Sequence, residues 1–187
     1  GPKFLHPGPG YGGSCFPKDT LAFAQLGNSV GSPVSIVESV IAVNQRQRER
    51  MTVKIEDAVG PMMGKCIGIL GLTFKPNTSD VRESPAIDIV RALLEKGAKV
   101  RAYDPEGMDE FEEVVTHENI TYCENAYEAA SGAEGLVFIT EWNEFRNIDL
   151  KQLKKVLVEP VILDLRNIFE PERISELGFK YFGVGRG

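Results

Sequence analysis

A glycine-rich segment near the start of the chain carries three side chains whose types and spacing could support catalysis. Cys15 follows the glycine-rich residues 8–14, and Lys18 and Asp19 come three and four residues later. Glycines let a ligand approach the main chain closely, and their amides can bind oxygen atoms. A nearby cation, or a helix that begins around Pro17, would favour the reactive thiolate of the cysteine, while the aspartate could act as a general base. On spacing alone, a turn with a buried, inert cysteine is slightly the better interpretation.

A second polar stretch, residues 68–85, lies between the first strand and the first helix of a predicted α/β region. Such positions bind nucleotides in doubly wound folds. A dinucleotide fingerprint would need three closely spaced glycines in the turn, whereas Gly68 and Gly71 fall within the predicted strand. Lys75 and Arg82 suit phosphate contacts, and the following helix directs its N-terminus to the same side. We predict a nucleotide site of non-standard form, the alternative being a solvated loop.

Two further polar clusters follow the fourth and fifth predicted strands, at residues 140–143 and 164–167. Both should open on the same carboxyl edge of the sheet. Arg166 could reach a bound nucleotide or pair with the aspartate of its own cluster. Trp142 fits a packing residue better than a stacking platform, and Asp104 ends the second strand, where a ribose-binding acid would stand.

The elements that must position these residues follow from the apolar pattern. Short runs rich in Ile, Val and Leu indicate strands buried on both faces; they lie at residues 66–72, 99–103, 120–122, 136–140, 161–165 and 180–184. Helical patterns separate them, at residues 86–96, 125–130, 150–156 and 174–177. Alternating strands and helices predict βαβ units in a doubly wound, mostly parallel α/β sheet, with the first and fourth strands adjacent.

The first third of the chain has a different texture. Residues 1–19 hold too many glycines and prolines for regular structure, and a short helix is predicted over 20–27. A long helix should start with Ser32 as N-cap and continue to Val59. Its apolar seam consists of Val34, Val37, Ile41 and Ile55, and we expect this seam to pair with a second copy, to fold back onto the α/β region or to fray. The basic group Arg46, Arg48 and Arg50 is interpreted as a solvated face.

Composition excludes several classes of protein. The formal net charge is −6, without the basic stripe of a nucleic-acid-binding protein. No apolar run is long enough for a membrane span, and no secretory signal is visible. Three cysteines without paired spacing suit a reducing compartment such as the cytoplasm, and no metal site is expected. Cys66 and Cys123 sit in apolar strands and are interpreted as packing residues.

The two polar stretches together resemble one known family. The run Gly-Tyr-Gly-Gly-Ser-Cys-Phe-Pro-Lys-Asp at residues 10–19 is similar to the catalytic loop of UDP-glucose 6-dehydrogenases, in the UDP-glucose/GDP-mannose dehydrogenase family. Residues 71–75 (Gly-Leu-Thr-Phe-Lys) and 80–85 (Asp-Val-Arg-Glu-Ser-Pro) resemble that family's Rossmann-like UDP-binding domain. Matches at 103–105, 140–142 and 164–167 follow in the same order. The resemblance covers essentially the whole chain, and this pair of loops is highly specific.

The resemblance implies a four-electron oxidation of UDP-glucose to UDP-glucuronate with two NAD per turnover. Cys15 would attack the aldehyde made from the alcohol, giving a thiohemiacetal that is oxidised to a thioester and then hydrolysed. Asp19 matches the carboxylate that activates the water. Lys18 would lie near the nicotinamide, and Arg82 matches an NAD contact made across a domain interface. The matches to UDP-sugar and nucleotide contacts are Phe4, Leu5, Gly10, Tyr11 and Gly12, and Phe74, Lys75 and Arg166.

The family's pattern is also incomplete here. Its N-terminal dinucleotide-binding domain and the helix with its oxyanion-stabilising lysine and asparagine are missing, so we expect a fragment that is inactive alone. Residues 1–63 would be the catalytic loop and part of the central helical dimerisation domain, and 64–187 the UDP-binding domain. A homodimer or higher homo-oligomer is expected. The open alternatives are a dehydrogenase of GDP-mannose or a UDP-hexosamine, and a non-catalytic nucleotide-binding module.

Overall fold

The apolar runs form a six-stranded sheet in the computed structural model, which describes residues 5–186. The strands are β1 (Cys66–Leu70), β2 (Lys99–Tyr103), β3 (Ile120–Tyr122), β4 (Gly135–Phe138), β5 (Val161–Asp164) and β6 (Lys180–Gly183). Their spatial order is β3-β2-β1-β4-β5-β6, and every neighbouring pair is parallel. The predicted α/β class and the adjacency of the first and fourth strands are confirmed.

Helices cover the sheet and precede it. They are α1 (Phe16–Ser29), α2 (Ser35–Val59), α3 (Pro85–Glu95), α4 (Met108–Val114), α5 (Ala126–Ala130), α6 (Asn143–Arg146), α7 (Leu150–Val156) and α8 (Pro171–Glu176). Successive strand residues point to opposite faces, and the core divides accordingly. Ile69 and Val137 pack in one cluster with α2, α3 and α4, while Leu136 and Phe138 pack in the other with α5, α7 and α8. Both faces are therefore buried, which explains the near-continuous apolar strands.

The two N-terminal helices begin at residues other than the predicted ones. Helix α1 starts at Phe16, directly after Cys15, because Pro17 is compatible with the first turn of a helix. Helix α2 starts at Ser35, so the predicted N-cap at Ser32 is wrong. The Ser32 amide instead donates to the Gly27 carbonyl (2.9 Å) and closes the end of α1 after Gly31, which has a φ of 71°.

The apolar seam predicted for the long helix is only partly correct. Ile55 is fully buried in the core beneath the sheet, so the second half of α2 packs on the α/β region. Val37 is half-buried, near the contact between α1 and α2. The side chains that stay exposed on α2 are different ones, Ile36, Val40, Val43 and Val53. The predicted division at residues 63 and 64 stays a prediction. Among the described residues, no helix has the length and apolar character of a membrane span.

One buried carboxylate joins the ends of three strands. Asp104, at the end of β2, accepts hydrogen bonds from the amides of Leu72 (2.7 Å) and Thr73 (3.1 Å) after β1. The Thr73 hydroxyl (3.0 Å) and the Trp142 indole (3.1 Å) donate to the same oxygen. The other oxygen accepts from the amides of residues 106 and 107. Because the protein's own donors occupy both oxygens, Asp104 does not serve as the ribose-binding acid that its position suggested, and Trp142 is a packing residue.

Replacing Asp104 with alanine should lower the free energy of unfolding by about 3 kcal/mol or more, since several buried donors lose their acceptor. Trp142→Phe removes one donor and keeps the carboxylate's other partners, so its cost should be about 1 kcal/mol. Urea unfolding followed by circular dichroism measures both values. Equal losses in the two variants would mean that the indole, and not the carboxylate, holds the strand ends together.

Candidate functional site

The two loops singled out in the sequence line one cavity of about 310 Å³. One wall is the segment from Gly12 to Phe16, which contains Cys15, and the other is formed by Phe74, Lys75, Thr78 and Asp80. These walls lie about sixty residues apart in the sequence. They meet because both α2 and the loop after β1 reach the carboxyl edge of the sheet. Phe74, Lys75, Thr140 and Arg166 were predicted to gather at this edge.

The cysteine of the glycine-rich loop is exposed to solvent, so the interpretation as a buried cysteine is wrong. Cys15 is the N-cap residue of α1, and its carbonyl accepts a hydrogen bond from the Asp19 amide (2.8 Å). Its Sγ lies 3.8 Å from Ser14 Oγ. Lys18 and Asp19 form an ion pair of 3.5 Å with both side chains largely exposed. The thiol therefore lies at a helix N-terminus and lines the cavity, and the Lys18–Asp19 ion pair follows it in the first turn of that helix.

The other two thiols contrast with this one. Burial raises the pKa of the Cys66 thiol, partly opposed by the cation of Arg101, and raises the pKa of the Cys123 thiol in the same way. A raised pKa leaves less thiolate at neutral pH. The prediction that both are packing residues agrees with their burial in or beside the core.

The wall after β1 is a compact turn built around Phe74. The Phe74 amide donates to the Asp80 carbonyl (3.1 Å), and the Lys75 Nζ lies 5.3 Å from the centre of the Phe74 ring. The ring faces Gly13, where a Cβ atom would lie 2.8 Å from a ring carbon. The Gly13 amide donates to the Arg82 carbonyl (3.0 Å). The glycine-rich loop that carries Cys15 and the loop after β1 are therefore in direct contact.

Arg166 ties this wall to the ends of β4 and β5. Its Nη2 donates to the Phe74 carbonyl (3.3 Å) and its Nε to the Ile139 carbonyl (2.9 Å). The Nε also lies 3.0 Å from a Glu141 carboxylate oxygen that accepts no hydrogen bond, so this contact is an ion pair only. Burial lowers the pKa of the guanidinium, and Glu141 opposes that shift. The alternative partner, Asp164, contacts only the Arg166 backbone amide (3.1 Å).

Thr140 stands beside this cluster. Its hydroxyl donates to the Thr73 carbonyl (2.6 Å), one residue before Phe74. Arg166 donates to the Phe74 carbonyl on the same side of the sheet. The prediction that Thr140, Arg166 and the Phe74–Lys75 turn lie at one carboxyl edge is confirmed.

Arg82 is exposed and lies two residues after Asp80, which lines the cavity. Its guanidinium forms a bidentate pair with Asp80, with hydrogen bonds of 2.9 and 2.7 Å. These bonds raise the pKa of the arginine and lower the pKa of the Asp80 carboxyl. The charge is close enough to Cys15 to interact with it electrostatically. Arg82 and Lys18 are thus two exposed cations, each paired with a neighbouring aspartate.

Three polar residues of α2 hold the glycine-rich loop, and sequence reasoning missed them. Asn44 accepts from the Tyr11 amide (2.8 Å) and donates to the Tyr11 carbonyl (3.1 Å). Gln47 donates to the Gly8 carbonyl (2.8 Å), and Arg48 donates to the Tyr11 carbonyl (2.7 Å). Arg48 is buried, so its assignment to a solvated face is wrong, whereas Arg46 and Arg50 are exposed as predicted. Gln47 and Arg48 follow Asn44 by three and four residues, within an interrupted apolar seam, so all three share one face of the helix. This spacing was the signal available in the sequence.

The remaining predicted contacts lie at or beyond the edge of this arrangement. Leu5 is 83% exposed, and Phe4 lies outside the described residues. The Tyr11 ring packs against Phe16, with ring centres 5.8 Å apart. Gly10 lies against Asn44. Across residues 5–186, no group of three or more His, Cys, Asp or Glu side chains could hold a metal ion.

Comparison with known proteins places this site in a family. The family model for the UDP-binding domain of UDP-glucose/GDP-mannose dehydrogenases matches residues 68–171, and the model for their central domain matches residues 1–46. A UDP-glucose 6-dehydrogenase of Rhizobium meliloti is 48% identical over 187 residues, which are 100% of this chain and 42% of that protein.

Solved structures agree with this placement. A UDP-glucose dehydrogenase from Pyrobaculum islandicum has a TM-score of 0.83 and 36% identity, over 96% of this chain and 39% of that one. An NDP-N-acetyl-D-galactosaminuronic acid dehydrogenase from Methanosarcina mazei has a TM-score of 0.80 and 29% identity, also over 96% and 39%. The chain thus spans about two fifths of the length of these relatives. The matched domains, the shared fold and the paired loops together show that the chain belongs to the UDP-glucose/GDP-mannose dehydrogenase family.

Proposed function

We propose that the protein containing this chain oxidises UDP-glucose to UDP-glucuronate with NAD, and that this chain supplies the nucleophile and the UDP-binding face. The observation that supports this most directly is the single cavity lined by Cys15 on one side and by Phe74 and Lys75 on the other. A UDP-sugar with its nucleotide against the second wall would place its sugar near the thiol. The family and its UDP-glucose 6-dehydrogenase members point to the same substrate class.

In this proposal Cys15 is the covalent catalyst. Its thiolate adds to the carbonyl carbon of the substrate aldehyde to form a thiohemiacetal. The adduct then loses a hydride and its hydroxyl proton to become a thioester, and water cleaves the carbon–sulfur bond to release the carboxylate and the thiol. Asp19, one helical turn after the cysteine, accepts the proton of that water. An exposed thiol beside an exposed carboxylate fits these two roles.

Lys75 and Arg166 are proposed to hold the nucleotide. The Lys75 ammonium is exposed at the cavity and suits a phosphate. Arg166 braces the Phe74 and Ile139 carbonyls, and its Nη1 lies beside Gly8. Phe74 offers an aromatic face, and Leu5, Gly10, Tyr11 and Gly12 are proposed to complete the sugar side.

NAD, when bound, accepts hydride from the substrate. The described residues offer it two exposed cations, Lys18 and Arg82, on the thiol side of the cavity. The turn after β1 has no dinucleotide fingerprint, because the loop from Leu72 to Ser84 is long and polar. Both cations suit a peripheral role toward the anionic cofactor, and we propose that the main cofactor contacts come from outside this chain. The chain alone should therefore not turn over, and a cytoplasmic location fits the free thiols.

A different nucleotide sugar is the second candidate. The Methanosarcina relative carries the same fold and is named for an N-acetylated galactosaminuronic acid. The chemistry proposed for Cys15 would serve either sugar, and the 48% identity to a UDP-glucose 6-dehydrogenase favours the glucose substrate.

The helices before the sheet are proposed to mediate self-association as a dimer or larger homo-oligomer. Ile36, Val40 and Val43 are exposed at spacings of four and three residues and so share one face of α2. Leu26 on α1 and Val30, the residue that directly follows α1, form a similar exposed pair. Exposed apolar stripes of this kind mark contact surfaces.

Replacing Cys15 with serine in the full-length protein should abolish UDP-glucuronate formation, with a loss of turnover of about 10³-fold or more. Cys123→Ser is the matched control, because that thiol is buried away from the cavity, and it should keep its activity. Product and NADH are measured together, and two NADH per UDP-glucuronate are expected. An active Cys15→Ser variant would leave the non-catalytic nucleotide-binding module as the role of this region.

Isothermal titration of this chain should give weak, saturable heat with UDP and none with NAD, because Lys75 and Arg166 are present while a dinucleotide fingerprint is not. Lys75→Ala should remove the UDP heat by deleting a phosphate contact. Lys151→Ala is the control, because the Lys151 side chain is exposed on α7 and does not line the cavity. This variant should leave the UDP heat unchanged. Tight NAD binding would overturn the assignment of these residues to the nucleotide sugar.

Light scattering over a concentration series should give a mass that rises with concentration, because the apolar stripe on α2 seeks a partner. Val40→Glu places a charge in that stripe and should yield a monomer. Val53→Glu is the control, since Val53 is exposed on the same helix but off the stripe. A monomer at every concentration for the unmodified chain would contradict the proposed association.

A further inference from the structure

We propose that Arg48 is a positioning residue. It sets the distance between the glycine-rich loop that leads to Cys15 and the loop after β1 (residues 71–84). It acts through the backbone and does not line the cavity. Three separate parts of the chain meet at its side chain: the glycine-rich loop, the loop after β1 and the start of α3.

The contacts of the guanidinium define this role. Nη2 donates to the Tyr11 carbonyl (2.7 Å) and also to the Glu83 carbonyl (3.0 Å). Nη1 donates to the Asp88 carboxylate (2.6 Å) and lies 3.9 Å from the Glu83 carboxylate. One nitrogen therefore bridges the backbones of the two loops, while the other is anchored to α3. Moving either loop would break a bond to the same buried charge.

The burial of Arg48 makes these bonds consequential. The side chain is 7% exposed, and a buried charge that loses its partners is strongly destabilising. Its neighbours on the same helix, Arg46 and Arg50, are exposed. The acidic partners facing it are Glu83 and Asp88, and the other titratable groups in the groove between α2 and α3 are Glu49, Arg91 and Glu95. The arrangement favours a permanently charged group at position 48.

The glycines of the glycine-rich loop pack closely against Arg48 and its hydrogen-bond partners. At Gly10 a Cβ atom would lie 2.8 Å from Asn44 Oδ1 and 3.3 Å from the Arg48 Cγ. At Gly12 it would overlap the same Glu83 carbonyl that Arg48 binds. The loop therefore lies against Arg48 and the Glu83 carbonyl. In this position the Gly13 amide reaches the Arg82 carbonyl, and Cys15 lines the same cavity as Phe74.

An arginine meets this geometry and a lysine does not. The planar fork reaches two backbone carbonyls and one carboxylate at once, whereas an ammonium on a flexible stem cannot serve all three in fixed directions. The substitution Arg48→Lys would keep the charge that Asp88 pairs with, so the fold should survive while the bridge between the loops weakens. This separates positioning from simple stabilisation.

Amide hydrogen exchange of this chain, read by NMR at single residues, tests the proposal. The reporters are Gly13, whose amide bonds to Arg82 and not to Arg48, and Ile139, whose amide bonds to Leu70 in the sheet. In Arg48→Lys the exchange of Gly13 should rise about tenfold while Ile139 stays protected. Arg50→Lys, at an exposed position of the same helix, should change neither. The near-isosteric Arg48→Met should raise Gly13 exchange at least as much.

Two outcomes overturn the proposal. Unchanged Gly13 exchange in Arg48→Lys would mean that the loop is held without the bridge. Parallel loss of protection at Gly13 and Ile139 in both Arg48 variants would mean that the residue stabilises the fold as a whole.

The consequence for catalysis rests on the proposed function and is measured in the full-length protein. Arg48→Lys should lower kcat about tenfold and leave the KM for UDP-glucose within about twofold, because a misplaced thiol slows chemistry without removing a ligand contact. A rise in KM with kcat unchanged would contradict positioning of the thiol. If the unmodified protein oxidises no nucleotide sugar, the proposed function fails, and the exchange experiment still decides the role of Arg48.

Discussion

The carboxyl edge of this sheet depends on how closely β1 approaches β4. Gly71 follows β1 with a φ of 94°, and a Cβ atom there would lie 2.5 Å from the Thr140 amide nitrogen. Such backbone angles are readily available only to glycine. The close approach lets the Thr140 hydroxyl reach the Thr73 carbonyl and lets Asp104 collect the two amides that follow Gly71. The direction in which the loop after β1 leaves the sheet is set there, and that loop forms one wall of the candidate site.

Much of this arrangement could be predicted from the sequence because parallel sheets impose simple rules. Strands buried on both faces must be apolar throughout, and the carboxyl ends of parallel strands share one edge. Polar residues placed directly after such strands, as Thr140 and Arg166 are, therefore had to converge. Helix starts were less predictable, since Ser32 and Ser35 are both followed by helix-compatible residues and only the closure of α1 by Gly27 distinguishes them.

The role of α2 was the main feature that sequence reasoning could not supply. Three charged or amide side chains within a helix resemble a solvated face as long as nothing is known of what lies opposite. Arg48 is buried because its partners come from loops and from α3, at sequence separations of 35 residues or more. Local periodicity contains no information about such distant acceptors. The same limit applies to Ile55, which packs beneath a sheet formed by later residues, so that burial against the sheet could be named only as one of several outcomes for its seam.

The glycines of the cysteine loop determine where this protein can change over evolutionary time. Gly10, Gly12 and Gly13 each face a different support: the Asn44 side chain, the Glu83 carbonyl and the Phe74 ring. A side chain gained at any one of them would displace the loop from that support. Substitutions of these glycines are therefore disfavoured along the stretch that carries the thiol. The cavity has more tolerant positions on its rim, such as Ser14 and Thr78, where half-exposed side chains already line the space. Diversification toward another ligand would therefore proceed through the rim, while the glycine scaffold stays fixed.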